Sequence, residues 1–211
     1  MNKWGYVSLS LVVLYFILGG KKAQTNGVIP PDLSDIERKV IGFTDIITFE
    51  GVKQKMDPAV IAAMIHWESG GNPTMPGGSG EYGLMQIMPE TASMVKKWYP
   101  DLKYNGNPDM LWDPAVNIEL GTKYLVHQFQ RYGRHLKFAL AGYNAGTCYV
   151  LELGERKSCY SGQWGSFCNS QLKLNVNTYV LGVYNLIQRY RQIFSALYSD
   201  YSQSFNALNF Q

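Results

Sequence analysis

The chain of 211 residues predicts an all-α domain, with at most a short β element in one glycine-rich loop. Three observations lead to this class. Several segments repeat apolar residues at the three- and four-residue spacing of a helix face. Two of them begin with an aspartate followed by proline, a combination typical of a helix N-terminus. No two alternating segments flank a two-residue turn of the kind that joins a β-hairpin.

The first predicted helix starts from a capping signal. Ser34 is followed three residues later by Glu37, so each side chain can accept a hydrogen bond from the other residue's backbone N–H. Apolar residues at helical spacing then continue as far as Val52. The sequence therefore predicts one continuous helix over this segment.

The two aspartate–proline pairs mark the starts of two further predicted helices. Asp57 precedes a helix whose run Val60–Ile65 is apolar on every side, which predicts that this helix is buried all round. Asp113 precedes a second helix, which ends near Tyr132. Proline suits the first helical position because the backbone N–H that it lacks would be unpaired there in any case.

The remaining helices are indicated mainly by their apolar spacing. They are predicted from Pro89 to about Trp98, from about Leu136 to Tyr143, and from Asn175 to Leu197. With the elements above, these helices account for most of the chain between residues 34 and 198.

The two ends of the chain are expected to lie outside the helical domain. Residues 4–20 are uncharged and mostly apolar, and we expect residues 1–22 to form an N-terminal transmembrane anchor. A cleaved signal peptide fits less well, because no small-residue cleavage site precedes the polar segment. We expect a linker over residues 23–33, one domain over 34–198 and a loosely ordered tail over 199–211.

Composition argues against several classes of function. A formal net charge of +3, with 17% charged residues and no basic run, gives no sign of a nucleic-acid partner. Three cysteines, Cys148, Cys159 and Cys168, predict one disulfide and one free or intermolecularly bonded thiol in an exported protein, with any of the three pairs possible. Their spacing lacks the Cys-x-x-Cys of many zinc sites, so we expect no metal, and we expect no other cofactor.

Glu68 is the candidate catalytic residue. It stands at the end of the apolar helix, where the chain turns into a glycine-rich loop. A carboxylate at the edge of a core loses hydration, which raises its pKa and keeps it protonated near neutral pH, as a general acid requires. A solvated glutamate at a helix end is the alternative, and the local context favours neither.

Four sequence blocks extend the argument beyond one carboxylate. They are Glu-Ser-Gly at 68–70, Gly-Leu-Met-Gln-Ile-Met-Pro at 83–89, Asp-Pro, Asn-Ile, Gly and Tyr-Leu within 111–125, and Gly-Tyr-Asn-Ala-Gly at 142–146. In this order they resemble the catalytic domain of the soluble lytic transglycosylases, lysozyme-like enzymes that cut bacterial peptidoglycan, over residues 58–146. The last block has glycine where the family usually has alanine.

The resemblance implies a lysozyme-like fold and a reaction carried by one carboxylate. Glu68 would protonate the oxygen between N-acetylmuramic acid and N-acetylglucosamine, and then act as base while the muramic C6 hydroxyl attacks C1. The product would be a 1,6-anhydro sugar formed without water. The residues implied to bind the substrate are Ser69, Met85, Gln86, Tyr143, Asn144 and Tyr179. Before Tyr179, the Glu-Thr pair of the family is missing.

Two other functions fit the same residues. A goose-type lysozyme on this fold would hydrolyse the bond with water, with Glu81 as its second carboxylate. A cell-wall-binding assembly protein would keep the fold without needing the acid.

The expected partners follow from the resemblance and from the apolar N-terminal stretch. They are a peptidoglycan glycan strand, the membrane through residues 4–20, and a phage particle or a secretion or conjugation complex. We expect a membrane-anchored protein whose catalytic domain lies in the periplasm or cell envelope, or in the virion membrane if a phage encodes it.

Overall fold

The computed structural model describes residues 29–146, 174–198 and 201. Within them the chain forms these helices: α1 Asp35–Ile41, α2 Thr44–Gln54, α3 Pro58–Ser69, α4 Pro89–Trp98, a 3-10 helix Pro108–Trp112, α5 Pro114–Arg131, α6 Leu136–Ala145 and α7 Leu174–Leu197. Between residues 29 and 146, the β structure consists of two isolated bridges, which pair Tyr82 with Pro76 and with Ile87. The prediction of an all-α domain with a short β element in the glycine-rich loop is confirmed.

The helix starts are capped as the sequence predicts. The Ser34 hydroxyl accepts a hydrogen bond from the Glu37 N–H at 3.2 Å, and the Glu37 carboxylate accepts one from the Ser34 N–H at 2.7 Å. Asp57 accepts from the Ala59 N–H at 2.9 Å, and Asp113 caps α5 in the same way. Each cap stabilises its helix by about 1 kcal/mol.

The prediction of a single first helix is wrong, because the segment forms two helices. α1 ends at Ile41 and α2 begins at Thr44, with Gly42 the first of two residues between them. Glycine is a poor helix former, and the Thr44 hydroxyl donates a hydrogen bond to the Ile41 carbonyl at the break. Val40 before the break and Ile47 after it are both fully buried. The apolar spacing alone does not reveal the break, because it continues across Gly42 and Phe43.

Helix α3 is the centre of the fold. Residues 59–65 are all fully buried, which confirms the prediction made from their unbroken apolar run. α3 packs against α1, α2 and α7, while α5 packs against α2, α4 and α6. Complete burial of one Ile or Leu side chain contributes roughly 1.5–3 kcal/mol. Glu68 therefore extends from the most firmly packed element of the molecule.

Two arginines on α7 bind carboxylates near the start of the domain. Arg189 donates to Glu37 at 2.7 Å, and Arg191 donates to Asp57 at 2.8 Å. Asp57 is 1% exposed and also accepts a hydrogen bond from the Tyr201 hydroxyl, so its buried charge is compensated from two sides. These contacts help to hold α7 along α3.

The packed core includes one residue from each segment that flanks the predicted domain. Leu33 is 4% exposed and Tyr201 is 5% exposed, and both belong to the core. Leu33 is the last residue of the predicted linker, and Tyr201 lies in the predicted tail. The division of the chain into anchor, linker, domain and tail stays a prediction.

Some predictions concern residues outside the described part of the chain. They are the membrane anchor over residues 1–22 and the pairing of Cys148, Cys159 and Cys168. Among residues 29–146, 174–198 and 201, no helix combines the length and apolarity that crossing a membrane requires.

Candidate active site

A cavity of about 460 Å³ lies at the C-terminal end of α3. Glu68 enters it from α3, Glu81 and Gln86 from the loop before α4, and Tyr143 and Asn144 from α6. Its other lining residues are Gly78, Ile87, Met88, Thr91, Tyr124, Ala145 and Gly146. The fold therefore brings four of the seven predicted site residues to one cavity from three separate parts of the chain.

The turn after α3 leaves Glu68 at the cavity wall. Gly70 and Gly71 have φ angles of 60° and 75°, in the left-handed region that favours glycine. A side chain at Gly71 would place its Cβ only 2.8 Å from the Cβ of Lys39, because the turn packs directly on α1. The two glycines thus end the helix directly after Ser69 and turn the chain towards the loop that borders the cavity.

The environment of Glu68 is that of a carboxyl group held partly protonated. Burial raises the pKa of Glu68 from 4.5 to about 7, the Tyr179 hydroxyl opposes this shift, and the negative charge of Glu81 adds to it. The side chain is nevertheless partly exposed, because one side of it faces the cavity. At neutral pH both the acid and the carboxylate are populated, as a group that first donates and then accepts a proton requires.

Two tyrosines lie next to Glu68. Burial, followed by the negative charge of Glu68, raises the pKa of both Tyr143 and Tyr179 well above 10.0. The Tyr143 hydroxyl donates a hydrogen bond to the Met85 carbonyl at 2.9 Å. The Tyr179 hydroxyl lies close enough to Glu68 to lower the pKa of that carboxyl group. The hydroxyl forms no hydrogen bond of standard geometry with any described residue. Both hydroxyls keep their protons at neutral pH, and that of Tyr179 can donate to Glu68 when the carboxylate forms.

Gln86 combines a place in the cavity wall with a role in its loop. Its backbone φ is 47°, an uncommon conformation for a residue with a side chain. The side-chain amide donates to the carbonyls of Met75 and Gly83, both at 2.9 Å. These two bonds close the loop on itself and hold the strained residue at the cavity.

Ser69 and Met85 are predicted substrate-binding residues that the structure does not place in the cavity. The Ser69 hydroxyl is buried and donates to the carbonyls of Ile65 at 3.1 Å and Leu84 at 2.9 Å. The Met85 side chain is fully buried against α5, where a Cβ on Gly121 would come within 2.5 Å of its sulfur. Both side chains support the cavity wall from behind.

Asn117 is a supporting residue for which the sequence predicts no role. Its side chain donates to the carbonyls of Tyr82 and Leu111, each at 2.8 Å, and accepts from the Met85 N–H at 2.8 Å. It is 1% exposed, in the first turn of α5. In the sequence, the signal for this role is an asparagine within an apolar helix. A buried amide needs hydrogen-bond partners, so such a residue is expected to hold neighbouring groups.

Tyr124 and Glu81 also line the cavity. The apolar spacing of the sequence places Tyr124 on the core face of its helix, yet its ring packs 5.1 Å from that of Tyr143 at the cavity wall. The Glu81 carboxylate accepts a hydrogen bond from the Ser79 N–H at 2.9 Å, which holds it within the loop. Among the described residues, no group of three or more His, Cys, Asp or Glu side chains is arranged to hold a metal ion.

Comparison with known proteins gives one family and several relatives. The model of the transglycosylase SLT domain family matches residues 45–160. The soluble lytic murein transglycosylase of Salmonella typhimurium is 36% identical over 110 residues, which are 52% of this chain and 17% of that protein. The endo-type membrane-bound lytic murein transglycosylase A of Klebsiella pneumoniae is 31% identical over 118 residues, 54% of this chain and 57% of that protein. The transglycosylase of Enterobacteria phage PRD1 is 35% identical over 108 residues, 51% of this chain and 36% of that protein.

Among solved structures, the 70 kDa soluble lytic transglycosylase of Escherichia coli is similar in fold. It superposes with a TM-score of 0.68 and 28% sequence identity, over 74% of this chain and 25% of that protein. The present chain thus corresponds to a small part of these larger proteins and to about half of the membrane-bound one.

Proposed function

The chain belongs to the transglycosylase SLT domain family, and we propose that it is a peptidoglycan lytic transglycosylase. The observation that supports this most directly is Glu68, a carboxyl group with a pKa of about 7 at the wall of a cavity large enough for sugar units. Gln86, Tyr143 and Asn144 share that cavity and supply amide and aromatic groups for a saccharide.

In the first step, Glu68 acts as the general acid. Its proton passes to the glycosidic oxygen between N-acetylmuramic acid and N-acetylglucosamine, and the bond from that oxygen to C1 of the muramic sugar breaks. The N-acetylglucosamine side leaves as a neutral alcohol. The carbonyl oxygen of the muramic acetamido group bonds to C1 and carries the positive charge that develops there. The Tyr179 hydroxyl is placed to stabilise the carboxylate left on Glu68.

In the second step, the same residue acts as the base. The Glu68 carboxylate takes the proton of the muramic C6 hydroxyl while O6 attacks C1, and the bond between C1 and the acetamido oxygen breaks. A 1,6-anhydro ring results, Glu68 is protonated again, and no water is consumed. A pKa near 7 suits both steps, because neither form of Glu68 is strongly disfavoured at neutral pH.

The other predicted site residues have different roles in this proposal. Asn144 is exposed at the cavity and offers its amide to the sugar, while the rings of Tyr143 and Tyr124 line the wall on which a sugar lies. Ser69 and Met85 act indirectly, by holding the loop that carries Gln86.

The test is mass spectrometry of the fragments that the full chain releases from purified peptidoglycan, with the Glu68→Gln variant as control. We expect products that end in 1,6-anhydromuramic acid and a loss of roughly a thousandfold in rate for the variant. Normal cleavage by Glu68→Gln would contradict the proposal.

Hydrolysis is the second candidate, and one observation favours it. Glu81 lines the same cavity as Glu68, so a second carboxylate is available to activate water. A goose-type hydrolase would instead release products with a reducing end, which are one water heavier than the anhydro products. The formation of these products would also require Glu81.

We further propose that this activity opens the cell wall locally for a phage particle or for a secretion or conjugation complex. The similarity to a phage transglycosylase and to a membrane-bound one supports such a setting. In this proposal residues 4–20 anchor the chain in a membrane, with the catalytic domain in the periplasm, the cell envelope or a virion. Protease digestion of intact spheroplasts tests the orientation, and a domain protected from the protease would contradict it.

A further inference from the structure

The charged residues of the domain are unevenly distributed along the chain. Residues 29–119 contain thirteen Asp and Glu against seven Lys and Arg, whereas residues 120–146 and 174–198 contain six Lys and Arg and no Asp or Glu. From the second half of α5 onwards, the described part of the chain therefore carries only positive charges. A one-signed distribution of this kind attracts partners of the opposite sign.

Three of these basic residues, Arg131, Arg134 and Lys137, belong to the turn between α5 and α6. Both arginines are exposed, and Lys137 is half-buried. Among the described residues, none of the three forms an ion pair with a carboxylate, whereas both arginines of α7 do. The Arg134 N–H donates a hydrogen bond to the Phe129 carbonyl at 2.8 Å, which fastens the turn to α5. The turn thus presents three uncompensated positive charges on a hydrogen-bonded backbone.

Two exposed apolar side chains of α7 adjoin these charges. The ammonium group of Lys137 lies 4.4 Å from the ring centroid of Tyr184, which joins the turn to α7. Tyr184 is 38% exposed, and Leu181, about one turn earlier on the same side of the helix, is 40% exposed. We call these five residues the basic face: Arg131, Arg134, Lys137, Leu181 and Tyr184. None of them lines the active-site cavity.

We propose that the basic face docks on the surface of an anionic lipid bilayer. Lys and Arg pair with lipid phosphates, while Tyr and Leu enter the boundary between the headgroups and the acyl chains. A bilayer fits better than an acidic protein, because the apolar residues 4–20 are proposed to hold the domain beside a membrane, where the effective concentration of lipid is high. The inference thus rests on the membrane setting of the proposed function, but not on its reaction.

Docking at this face would orient the domain. The basic turn precedes the first residue of α6, whereas Tyr143 and Asn144 near the last residue of that helix line the active-site cavity. A helix of ten residues is roughly 15 Å long, so the turn and the cavity lie about that far apart along α6. The bilayer would contact one end of α6 while the substrate occupies the other.

The experiment is photocrosslinking of the full chain in vesicles of phosphatidylglycerol and phosphatidylcholine. The photoreactive amino acid p-benzoylphenylalanine takes the place of Tyr184, which keeps an aromatic ring at this position, and mass spectrometry identifies the adducts. We expect lipid adducts whose yield falls roughly fivefold or more when the chain also carries Arg131→Gln, Arg134→Gln and Lys137→Gln. Each cation near an anionic surface is worth about fivefold in affinity.

Two controls match this measurement. Arg38→Gln, Lys97→Gln and Lys103→Gln together remove the same charge from exposed positions outside the basic face and should leave the yield unchanged. The photoreactive amino acid in place of Trp98, an exposed aromatic residue of α4, should give severalfold fewer lipid adducts.

Flotation of the chain with vesicles separates this inference from the proposed anchor. A chain that floats but crosslinks equally at positions 184 and 98, or equally with and without the three cations, would overturn the basic face and leave the anchor intact. Crosslinks between two copies of the chain in place of lipid adducts would overturn it in favour of self-association. Flotation that requires both phosphatidylglycerol and the three cations would support the basic face and refute the anchor. None of these measurements requires cleavage, so a chain that fails to cut peptidoglycan would refute the proposed reaction alone.

Discussion

The side-chain oxygen of Asn117 accepts a hydrogen bond from the Met85 backbone N–H across 2.8 Å, and this contact joins helix α5 to the loop that borders the active-site cavity. The amide group of Asn117 holds two carbonyls of the surrounding chain as well. One buried side chain thereby sets the position of Gln86, which follows Met85 directly.

Replacing Asn117 should therefore damage both stability and activity. Asn117→Ala leaves one N–H and two carbonyl groups without their partner. Each lost hydrogen bond costs about 1 kcal/mol or more, so the free energy of unfolding should fall by roughly 3 kcal/mol. Urea denaturation measures the loss. Gln130→Ala, at an exposed position of the same helix, is the control and should change stability by less than about 0.5 kcal/mol. Equal stability of the two variants would show that the network does not hold the loop.

The raised pKa of Glu68 should make the folded state less stable as the pH rises. The unfolded chain loses the Glu68 proton near pH 4.5, while the folded chain keeps it to about pH 7, so stability falls between these values and is constant above them. The cost at pH 7 and above should reach up to about 3 kcal/mol. Denaturation of the wild type and of Glu68→Gln at several pH values measures it as a growing advantage of the variant. A difference that does not change with pH would contradict the burial of Glu68.

Glu81 and Tyr179 should shift the pH profile of cleavage in opposite directions. The carboxylate of Glu81 raises the pKa of Glu68, so Glu81→Gln should move the alkaline limb of the rate profile to lower pH. The hydroxyl of Tyr179 lowers that pKa, so Tyr179→Phe should move the same limb to higher pH. Initial rates of peptidoglycan cleavage between pH 5 and 9 measure both shifts. Asp101→Asn, an exposed charge outside the cavity, should leave the limb in place. Shifts in the same direction for both variants would refute the assignment of this limb to Glu68.

The close approach of Trp67 to Gly182 should make the glycine irreplaceable. A Cβ at Gly182 would lie 1.9 Å from an atom of the Trp67 ring, and that ring packs edge-on against Tyr179. Gly182→Ala should therefore displace Trp67, next to Glu68, and lower stability by about 1–3 kcal/mol. Ser195→Ala at an exposed position of α7 serves as control.

Thermal unfolding and a double-mutant cycle identify the cause. If the clash accounts for the loss, Gly182→Ala should cost little in a chain that already carries Trp67→Ala. An equal cost in both backgrounds would assign the effect to the backbone of α7 instead.

How far the sequence alone predicts this molecule differs between the fold and the site. Ser34, Asp57 and Asp113 mark helix starts because an N-cap side chain bonds to backbone groups within three residues of it. The necessary information therefore lies in neighbouring positions of the sequence. The break at Gly42 is not predicted, since the apolar spacing continues across it.

In the site, the motif around Glu68 predicts an acid, but it does not predict which of its neighbours face the cavity. Ser69 and Met85 belong to the matching blocks yet point into the core, whereas Tyr124, predicted on an apolar helix face, lines the cavity. The direction of each side chain depends on helices from other parts of the chain.

The sequence by itself thus determined where most helices begin and which family the blocks resemble, because these properties depend on short-range pattern. Only the tertiary structure decided the protonation of Glu68, since its pKa depends on burial and on neighbours as distant in sequence as Tyr179. It alone also revealed a second cavity at Tyr104 and Lys97, because residues that form no motif in the sequence line one space only when packing brings them together.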